Sequence, residues 1–425
     1  MVKKILNTFG TRLLSAVINL LITIVISRFL GPEGKGQQGL IIATIAYVLV
    51  FANLMGGATI VYLVPRFAWS LILVPAYLWT LFTGLVFYAV LHFTGLVQPQ
   101  FILHICLLSV ISGFAAINSS ILIGKEKIAS ANMVSLLQPF LIAASLALFF
   151  FVMGQATIQS YLLSLYIAFG GSFFLSLFYL KKFTGKYSLH GIGSYFGVIS
   201  KLARYGVLNQ LAHIFQLLSF RMSYYWLNQL YSEAEVGVYS NAISIVESVW
   251  LISRSISMVQ YASIVNTDDR DYSRRLTISL SKIAFFISFV LLGILVLLPS
   301  QFFVFIYGEG FGEISTVIRS QAPGILFFSF ALVGGHYFSG TGKYHVNTLA
   351  SLAGLLISVV LFWLMIPALG MTGAGWATSI SYTFTAIVVM IFFLSESGLS
   401  LKVFLPQKHD VEEFRTIIRT VTGKK

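Results

Sequence analysis

About twelve apolar stretches follow one another along the chain and occupy nearly its whole length. Each is roughly 20 residues long, which is enough for one helix to cross the hydrocarbon core of a bilayer. The stretches lack the alternation of polar and apolar residues found in barrel strands, so helices are the expected spanning form. We place the spans approximately at residues 10–30, 37–63, 70–93, 101–123, 131–153, 158–180, 202–228, 237–262, 280–306, 317–339, 345–366 and 373–394. The sequence thus predicts an all-α polytopic membrane protein with about twelve transmembrane helices.

The composition disfavours an enzyme. Of 425 residues, 57% are hydrophobic and only 10% are charged, whereas ordinary soluble domains have about 25% charged residues. The single cysteine, Cys106, excludes a disulfide within the chain and a multi-thiolate metal site. The sequence contains no metal-ligand spacing, nucleophilic triad, phosphate-binding loop or dinucleotide fingerprint. We therefore expect a non-enzymatic function inside the helix bundle, with no catalytic residues, no metal and no cofactor.

The net charge of +13 reflects membrane topology. With the N-terminus in the cytoplasm, most basic residues between the spans, such as Lys181 and Arg274, fall on the cytoplasmic side. The opposite connections are acidic or neutral, as around Glu33 and Glu233. This arrangement follows the positive-inside rule, and an even number of spans also places the C-terminus in the cytoplasm. No basic cluster is combined with stacking aromatic residues, so binding of nucleic acid is disfavoured.

The two halves of the chain resemble each other weakly. Gly36 opens the second span as Gly237 opens the eighth, each a few residues after an acidic turn, and the Gly-Lys pair at Gly124 before the fifth span matches the pair at Gly342 before the eleventh. Chance recurrence in a glycine-rich apolar sequence is the alternative to duplication. With six spans in each half, the repeats would be parallel and surround a central cavity. We predict a six-helix bundle at 1–190, a cytoplasmic linker at 191–200 within the longest loop (181–200), a second six-helix bundle at 201–395 and a basic cytoplasmic tail at 396–425.

Three segments connect the chain to a known family: Ile26-Ser-Arg-Phe-Leu-Gly-Pro-Glu33, Glu233-Ala-Glu-Val-Gly-Val-Tyr-Ser-Asn-Ala242 and Leu369-Gly-Met-Thr-Gly-Ala-Gly-Trp-Ala377. They resemble segments of the lipid-linked oligosaccharide flippases, also called polysaccharide or O-antigen exporters. That superfamily includes the multidrug and toxin extrusion proteins and the lipid II flippases. The likeness covers about residues 5–395, but the motifs are packing and turn signatures rather than a catalytic fingerprint. Members often have fourteen spans, which leaves the C-terminal count open.

The resemblance implies a function in the cell inner membrane. It implies a flippase that moves a polyprenyl-diphosphate-linked oligosaccharide by alternating access, in polysaccharide, lipopolysaccharide or O-antigen biosynthesis. The implied partners are this substrate, membrane lipids, Na⁺ or H⁺ as a coupling ion, and other membrane proteins of polysaccharide assembly. A small-molecule or drug antiporter of the same superfamily is the closest alternative. A membrane-embedded polysaccharide polymerase or ligase is a more distant one, because such enzymes normally have a sizeable outer loop.

Charged residues inside the spans are the first candidates for substrate binding, because a charge at the bilayer centre costs roughly 2.5–3.5 kcal/mol. They are Arg221, Glu247 and Arg254. Glu247 and Arg254 belong to a polar stripe on the eighth span that also includes Asn241 and should line a cavity. We expect Arg221 and Glu247 to form an interhelical pair, either at a binding site or simply as a lock between two helices.

Further candidates lie on the same and other spans. His213 and Tyr224 share the seventh span with Arg221, and His213 could shuttle protons or only pack through a hydrogen bond. Arg28 and Arg319 lie at the outer ends of the first and tenth spans, where an arginine can contact a ligand or extend to interfacial water.

The family resemblance gives roles to some of these residues. Guanidinium groups bind phosphate oxygens bidentately without losing their proton, so Arg221 and Arg254 are the best candidates for holding the diphosphate. Coupling of transport to Na⁺ or H⁺ through Glu247 is a further hypothesis, which rests on the depth of this residue in its span and not on the resemblance. A drug exporter would instead need acidic residues to hold cations, whereas the charge inside these spans is net basic.

Residues 402–425 carry apolar residues at helical steps among basic ones, which predicts either an interfacial helix or a disordered tail.

Overall fold

A computed structural model of the chain describes residues 2–184 and 191–405, without the side chains of residues 2–7, 9, 192, 208 and 209. All the regular structure in these ranges is helical. The helices are α1 (Val2–Ala52), α2 (Gly57–Leu63), α3 (Trp69–Thr94), α4 (Pro99–Gly124), α5 (Ile128–Ala147), α6 (Ile158–Thr184), α7 (Ile192–Leu230), α8 (Glu233–Ser248), α9 (Trp250–Val265), α10 (Arg270–Leu297), α11 (Ser300–Tyr307), α12 (Ile314–Gly340) and α13 (Tyr344–Ser397). The predicted all-α class is confirmed.

Eight helical runs of the described chain are long and apolar enough to cross a membrane, or nine if the bent pair α8 and α9 counts as one. Two of these runs, Gly10–Leu63 and Tyr344–Ser397, contain 54 residues each. At 1.5 Å per residue each measures roughly 80 Å, more than twice the thickness of the hydrocarbon core. Counting each as two spans, and adding the 39-residue α7, gives the twelve spans that the sequence predicts. The chain is a multi-pass membrane protein.

Glycine makes these two long runs possible. Gly31 (φ 67°) in α1 and Gly370 (φ 55°) in α13 are the non-helical points at which each run changes direction. A positive φ costs glycine little, whereas a β-branched or bulky side chain there would be strained. Both glycines fall between predicted spans. We call residues 31–36, which lie between the first predicted span and the second, the connection at residues 31–36; of these, Gly31 is non-helical and the others continue α1.

The second predicted span is interrupted near its C-terminal end. α1 ends at Ala52, a single 3₁₀ turn covers Asn53–Met55, and α2 begins at Gly57. Such a break leaves backbone carbonyl groups without their usual intrahelical partners, which is costly in an apolar environment. Trp79 Nε1 donates a hydrogen bond to the carbonyl of Phe51 at 3.1 Å, and Gln210 Nε2 donates to that of Val50 at 3.3 Å. The two side chains therefore stabilise the interrupted span.

Two sequence predictions about boundaries are wrong. The ninth span, predicted as continuous over 280–306, ends at Leu297, because Pro299 lacks a backbone N–H and holds Leu298 in an extended conformation. The loop predicted at 181–200 is helical at both ends, since α6 continues to Thr184 and α7 begins at Ile192. Val198 is buried one helical turn before Leu202, in a hydrophobic cluster that includes Ile60. This buried face explains why α7 starts earlier than expected.

The described helices form two compact units. Within the described ranges, unit 1 comprises residues 2–184, 191–217, 228–238 and 304–311, and unit 2 comprises residues 218–227, 239–303 and 312–405. Compact units defined by contacts need not follow sequence repeats, so the division at 190 and 201 stays a prediction. The tail predicted as an interfacial helix lies, from residue 406 onward, outside the described residues.

Within unit 1, the two glycines that match in the predicted repeat lie at one helix crossing. A Cβ atom added to Gly36 would come within 1.7 Å of the backbone oxygen of Glu233. One added to Gly237 would come within 1.9 Å of the backbone oxygen of Pro32. The absence of side chains thus allows α1 and the first turn of α8 to touch through their backbones. Gln37 Nε2 and Gln98 Nε2 add hydrogen bonds to the Glu233 carboxylate at 2.8 and 2.6 Å.

Candidate functional site

The predicted pair of Arg221 and Glu247 is present in unit 2. Arg221 Nη1 donates to Glu247 Oε1 at 2.8 Å, and Nη2 donates to Oε2 at 2.7 Å. The two parallel bonds are the bidentate geometry that makes Arg–carboxylate pairs specific as well as strong. The side chains are 22% and 15% exposed, so water reaches the pair only partially. The pair neutralises two charges that apolar spans would otherwise have to accommodate singly.

A change of helix direction places Glu247 at this position. α8 ends at Ser248, α9 begins at Trp250, and the two helices are bent by 41°. A carboxylate in the last turn of a helix is disfavoured by the helix dipole, which makes the neighbouring guanidinium the more important. Beside the bend, the rings of Phe220, Trp250, Phe328 and Tyr382 form a cluster with centroids 4.7–5.5 Å apart. Trp250 also donates from Nε1 to the carbonyl of Ile325 at 3.0 Å, which fixes the start of α9.

Arg254 differs from Arg221 in having an exposed side chain. Its guanidinium carbon lies 5.9 Å from the ring centroid of Trp250, at the outer limit of a cation–π contact. Within the described residues, no carboxylate lies within ion-pairing distance of it. A guanidinium exposed along an apolar span is costly against acyl chains, by roughly 2.5–3.5 kcal/mol, and is far better tolerated in contact with water or an anion. This group can therefore accept an anionic ligand without breaking an existing ion pair.

The polar stripe predicted on the eighth span is only partly retained. Asn241 is fully buried, so it does not lie on the exposed face with Arg254. The hydroxyls of the exposed Ser248 and Ser255 donate to carbonyl oxygens of their own helices. The prediction treated residues 237–262 as one straight helix, and the bend at Val249 changes the direction in which the two halves of the stripe point.

The two candidates on the seventh span have different surroundings. Tyr224 is 5% exposed and packs in unit 2, with its ring centroid 5.6 Å from the Arg221 guanidinium carbon and 5.9 Å from the ring of Tyr239. It therefore supports the ion pair by packing and leaves little surface for a ligand. His213 belongs to unit 1 and is exposed. Its proposed role as a proton carrier stays a prediction.

Arg28 and Arg319 bind the ends of helices. In unit 1, Arg28 Nε donates to the carbonyl of Ile306 at 2.8 Å, and Nη2 donates to that of Phe305, both in the last turn of α11. In unit 2, Arg319 Nε donates to the carbonyl of Val296 at 3.4 Å, in the last turn of α10. Terminal carbonyl groups have no intrahelical partner and carry the negative end of the helix dipole, so cations stabilise them. Neither ligand contact nor interfacial water is needed to explain the two arginines.

Sequence reasoning missed His336, which lies near Arg254. The ring of His336 in α12 is half-buried, and its Nδ1 lies 2.8 Å from the carbonyl oxygen of Leu332. It interacts electrostatically with Arg254 and has a T-shaped contact with Tyr261 at 6.3 Å. Its position inside an apolar span was the available signal. Among the described residues no group of three or more His, Cys, Asp or Glu side chains could hold a metal ion.

Comparison with solved structures identifies proteins of the same fold. The chain superposes on an inward-facing multidrug resistance MATE family transporter of the MOP superfamily with a TM-score of 0.71, at 17% identity, covering 90% of this chain and 94% of the other. It superposes on the lipid II flippase MurJ in an inward closed conformation with a TM-score of 0.68, at 14% identity, covering 95% and 89%. This is the fold of the MOP superfamily transporters. A third relative, from Pyrococcus furiosus, has a TM-score of 0.62 at 13% identity, covers 95% and 97%, and is described by the reverse polarity of its binding pocket.

Sequence comparison matches a shorter part of the chain than the comparison of structures. No family model matches the chain. The capsular polysaccharide biosynthesis protein CapF of Staphylococcus aureus is 24% identical over 170 residues, which are 39% of this chain and 43% of that protein. The match thus spans less than half the length of this curated relative. The MOP fold is shared over nearly the whole chain, with two repeated helix bundles, and its named members are transporters and flippases rather than enzymes.

Proposed function

We propose that this MOP-fold protein is a flippase that moves a polyprenyl-diphosphate-linked oligosaccharide across the cytoplasmic membrane by alternating access. The observation that carries the proposal is the exposed guanidinium of Arg254, which has no carboxylate partner among the described residues. A diphosphate is a doubly or more highly charged anion whose oxygens match the donors of a guanidinium. The likeness to the lipid II flippase MurJ and to the capsular polysaccharide biosynthesis protein supports the same assignment.

The second candidate is export of small molecules, which the likeness to the MATE transporter favours. A transporter of cationic drugs would need an acidic group free to hold its substrate. Glu247, the acidic residue that the sequence places within a predicted span of unit 2, is occupied by both terminal nitrogens of Arg221. The polarity of the exposed groups therefore favours an anionic head group over a cation.

Transport of such a lipid requires polar contacts for its head group, an apolar environment for its tail and a driving force. The head group needs polar contacts, which Arg254 and the neighbouring His336 offer on unit 2, while the polyprenyl tail can stay in lipid. The termini would lie in the cytoplasm, as the positive-inside rule predicts. An inside-negative potential of 100 mV favours outward movement of each uncompensated negative charge by roughly 2.3 kcal/mol. The membrane potential can thus contribute to the driving force, as far as the negative charge of the head group is not compensated by arginines that move with it.

Reconstituted vesicles test the proposal. A fluorescent polyprenyl-diphosphate oligosaccharide is placed in one leaflet, and its appearance in the other is measured for wild type, Arg254→Ala and Arg254→Lys. We expect at least a tenfold loss of rate in Arg254→Ala and partial retention in Arg254→Lys, because lysine keeps the charge without the bidentate geometry. Arg319→Ala is the matched control, since that arginine contacts only a helix end among its described hydrogen bonds. Transport of a cationic dye without any flipping of the lipid would replace this proposal by the drug-export alternative.

A further inference from the structure

Lys35 has an unusual environment for a lysine. It lies in the connection at residues 31–36, outside the predicted spans 10–30 and 37–63, yet its side chain is only 3% exposed. Lysine is rarely buried unless it is paired with an opposite charge. Among the described residues no carboxylate lies within ion-pairing distance of Lys35. The amine is therefore buried without compensation of its charge.

The contacts of Lys35 are neutral. Its Nζ donates to Gln38 Oε1 at 2.5 Å, and Gln38 Nε2 in turn donates to the hydroxyl of Tyr161 at 3.3 Å. Tyr161, in the first turn of α6, is itself only 2% exposed. A single amide oxygen can satisfy one of the three donors of an ammonium group, whereas a neutral amine has less need of acceptors. The hydrogen-bond arrangement thus suits the neutral form better than the charged one.

Among the described residues no carboxylate lies within ion-pairing distance of Lys35, neither Glu33 on α1 nor Glu233 and Glu235 in the first turn of α8. The carboxylate of Glu233 is bound by the amides of Gln37 and Gln98, and Arg28 is bound to carbonyl oxygens of α11. Titratable side chains in the outer halves of the helices that pack on α1 are Tyr88 and His92 on α3, His104 and Cys106 on α4, and Tyr161 and Tyr166 on α6. α5 has none, and His104 is hydrogen-bonded to Tyr166. Burial alone lowers the pKa of Lys35 to about 7.

We propose that Lys35 is a proton-binding site of unit 1, neutral in the arrangement described here and protonated whenever the connection at residues 31–36 opens to water. The position is suited to such a change, because Lys35 follows the kink at Gly31 and precedes the backbone crossing at Gly36. Movement at this crossing would alter the hydration of the amine. The proton comes from water and returns to water, so no other reactant is required.

The sign of the pH effect follows from linkage. An unfolded lysine has a pKa of about 10.4, so between about pH 7 and 10 the unfolded chain binds more protons at this position than the folded one. Stability therefore rises with pH in this window, with a tenfold change in the unfolding equilibrium for each pH unit at most. Below pH 7 the folded protein must bury an ammonium group, and this contribution no longer changes with pH.

Two variants bracket the protonation states: Lys35→Met is never charged and Lys35→Arg is always charged. Purified wild type and Lys35→Met are unfolded at equilibrium from pH 6 to 10, with Lys125→Met as the control at an exposed lysine. We expect Lys35→Met to be the more stable protein at pH 6, and the difference to shrink or reverse as the pH rises. A difference that stays constant across this range would overturn the proposal. Because this measurement needs no transport, it is independent of the proposed function.

Transport provides the second measurement and rests on the flippase assignment. Flipping of the fluorescent diphosphate lipid is followed at equal pH on both sides of the vesicle, which removes the proton gradient as a driving force. The wild-type rate should approach that of Lys35→Arg at low pH and that of Lys35→Met at high pH, while each variant changes little. If neither wild type nor variants transport the lipid, the proposed function fails while the unfolding measurement still tests the proton site. If wild type and Lys35→Met have parallel pH profiles in both assays, Lys35 binds no functional proton. Should Lys35→Arg fail to fold, the comparison with Lys35→Met is sufficient.

Discussion

Neutralising both partners of the pair between Arg221 and Glu247 should destabilise the protein by far less than the sum of the two single neutralisations. In Arg221→Gln, the Glu247 carboxylate loses two charge-assisted bonds of 2.8 and 2.7 Å and stays 15% exposed in an apolar span. Breaking a buried pair in this way typically costs about 3–5 kcal/mol. Because water reaches these side chains partially, we expect the lower end, about 3 kcal/mol. Glu247→Gln should cost somewhat less, since Tyr224 provides a cation–π contact to the remaining guanidinium.

The double variant Arg221→Gln, Glu247→Gln completes a double-mutant cycle with wild type and the two single variants. Two amides can hydrogen-bond to each other and leave no buried charge, so the double variant should be destabilised by less than the sum of the two single variants, with an interaction energy of about 2–3 kcal/mol. Equilibrium unfolding in mixed micelles with increasing SDS measures all four proteins. The coupling energy is the difference between the effect of the double variant and the sum of the two single-variant effects, each measured relative to wild type.

The chain contains a matched control for this cycle. Arg274 and Asp271 are three residues apart on α10, their atoms are 3.3 Å apart, and the aspartate is 74% exposed. Exposed pairs of this type contribute about 0.2–1 kcal/mol, so the same amide substitutions there should give a small interaction energy. Simple additivity at Arg221 and Glu247, with no more coupling than in the control pair, would refute the reasoning.

Three other substitutions test the packing and capping contacts. Gly36→Ala should destabilise the crossing by about 1–3 kcal/mol, because its Cβ meets the Glu233 backbone oxygen at 1.7 Å; Gly170→Ala, with open space around it, should be neutral or slightly stabilising in the same SDS titration. Trp79→Phe removes the donor that satisfies a carbonyl at the break in the second span and should cost about 1–3 kcal/mol; an unchanged unfolding midpoint would contradict that role. Arg28→Gln should lower stability by about 0.3–1 kcal/mol while leaving the substrate dependence of flipping unchanged, and a raised KM would instead indicate ligand contact.

Sequence periodicity predicted the fold because each spanning helix must satisfy its own backbone in lipid. The apolar stretches and the turn at Gly31 are visible in the residues themselves, whereas the prediction of one span over 280–306 overlooked the helix break before Pro299. The bend at Val249 was not predictable, because residues 237–262 read as a continuous helical stripe. The early start of α7 was missed for a related reason, since the burial of Val198 and Leu202 depends on a cluster formed by distant helices.

The sequence predicted the contacts of a charged residue where the partner is a residue of opposite charge. It did not predict them where the partner is a backbone carbonyl group. Arg221 and Glu247 could be paired from sequence because each is too costly to leave alone in a span. Carbonyl oxygens carry no residue identity, so nothing in the sequence indicated that Arg28 and Arg319 bind helix ends. The burial of Lys35 depends on tertiary packing around Gln38, which is likewise invisible to a hydropathy pattern.

The four arginines differ in what each would lose by binding an anionic head group, and this difference predicts which of them binds it first. Arg28 and Arg319 stabilise helix ends, and an anion that recruited either would leave carbonyl groups without donors. Recruiting Arg221 would release Glu247, and a penalty of about 3 kcal/mol lowers affinity by a factor of about 150. Among the described residues Arg254 has no ion pair to lose, so an anion should contact it first. Exchange at Arg221 would then require Glu247 to take up a proton or a cation at the same moment, which would make substrate binding at the ion pair the step that depends on a coupling ion.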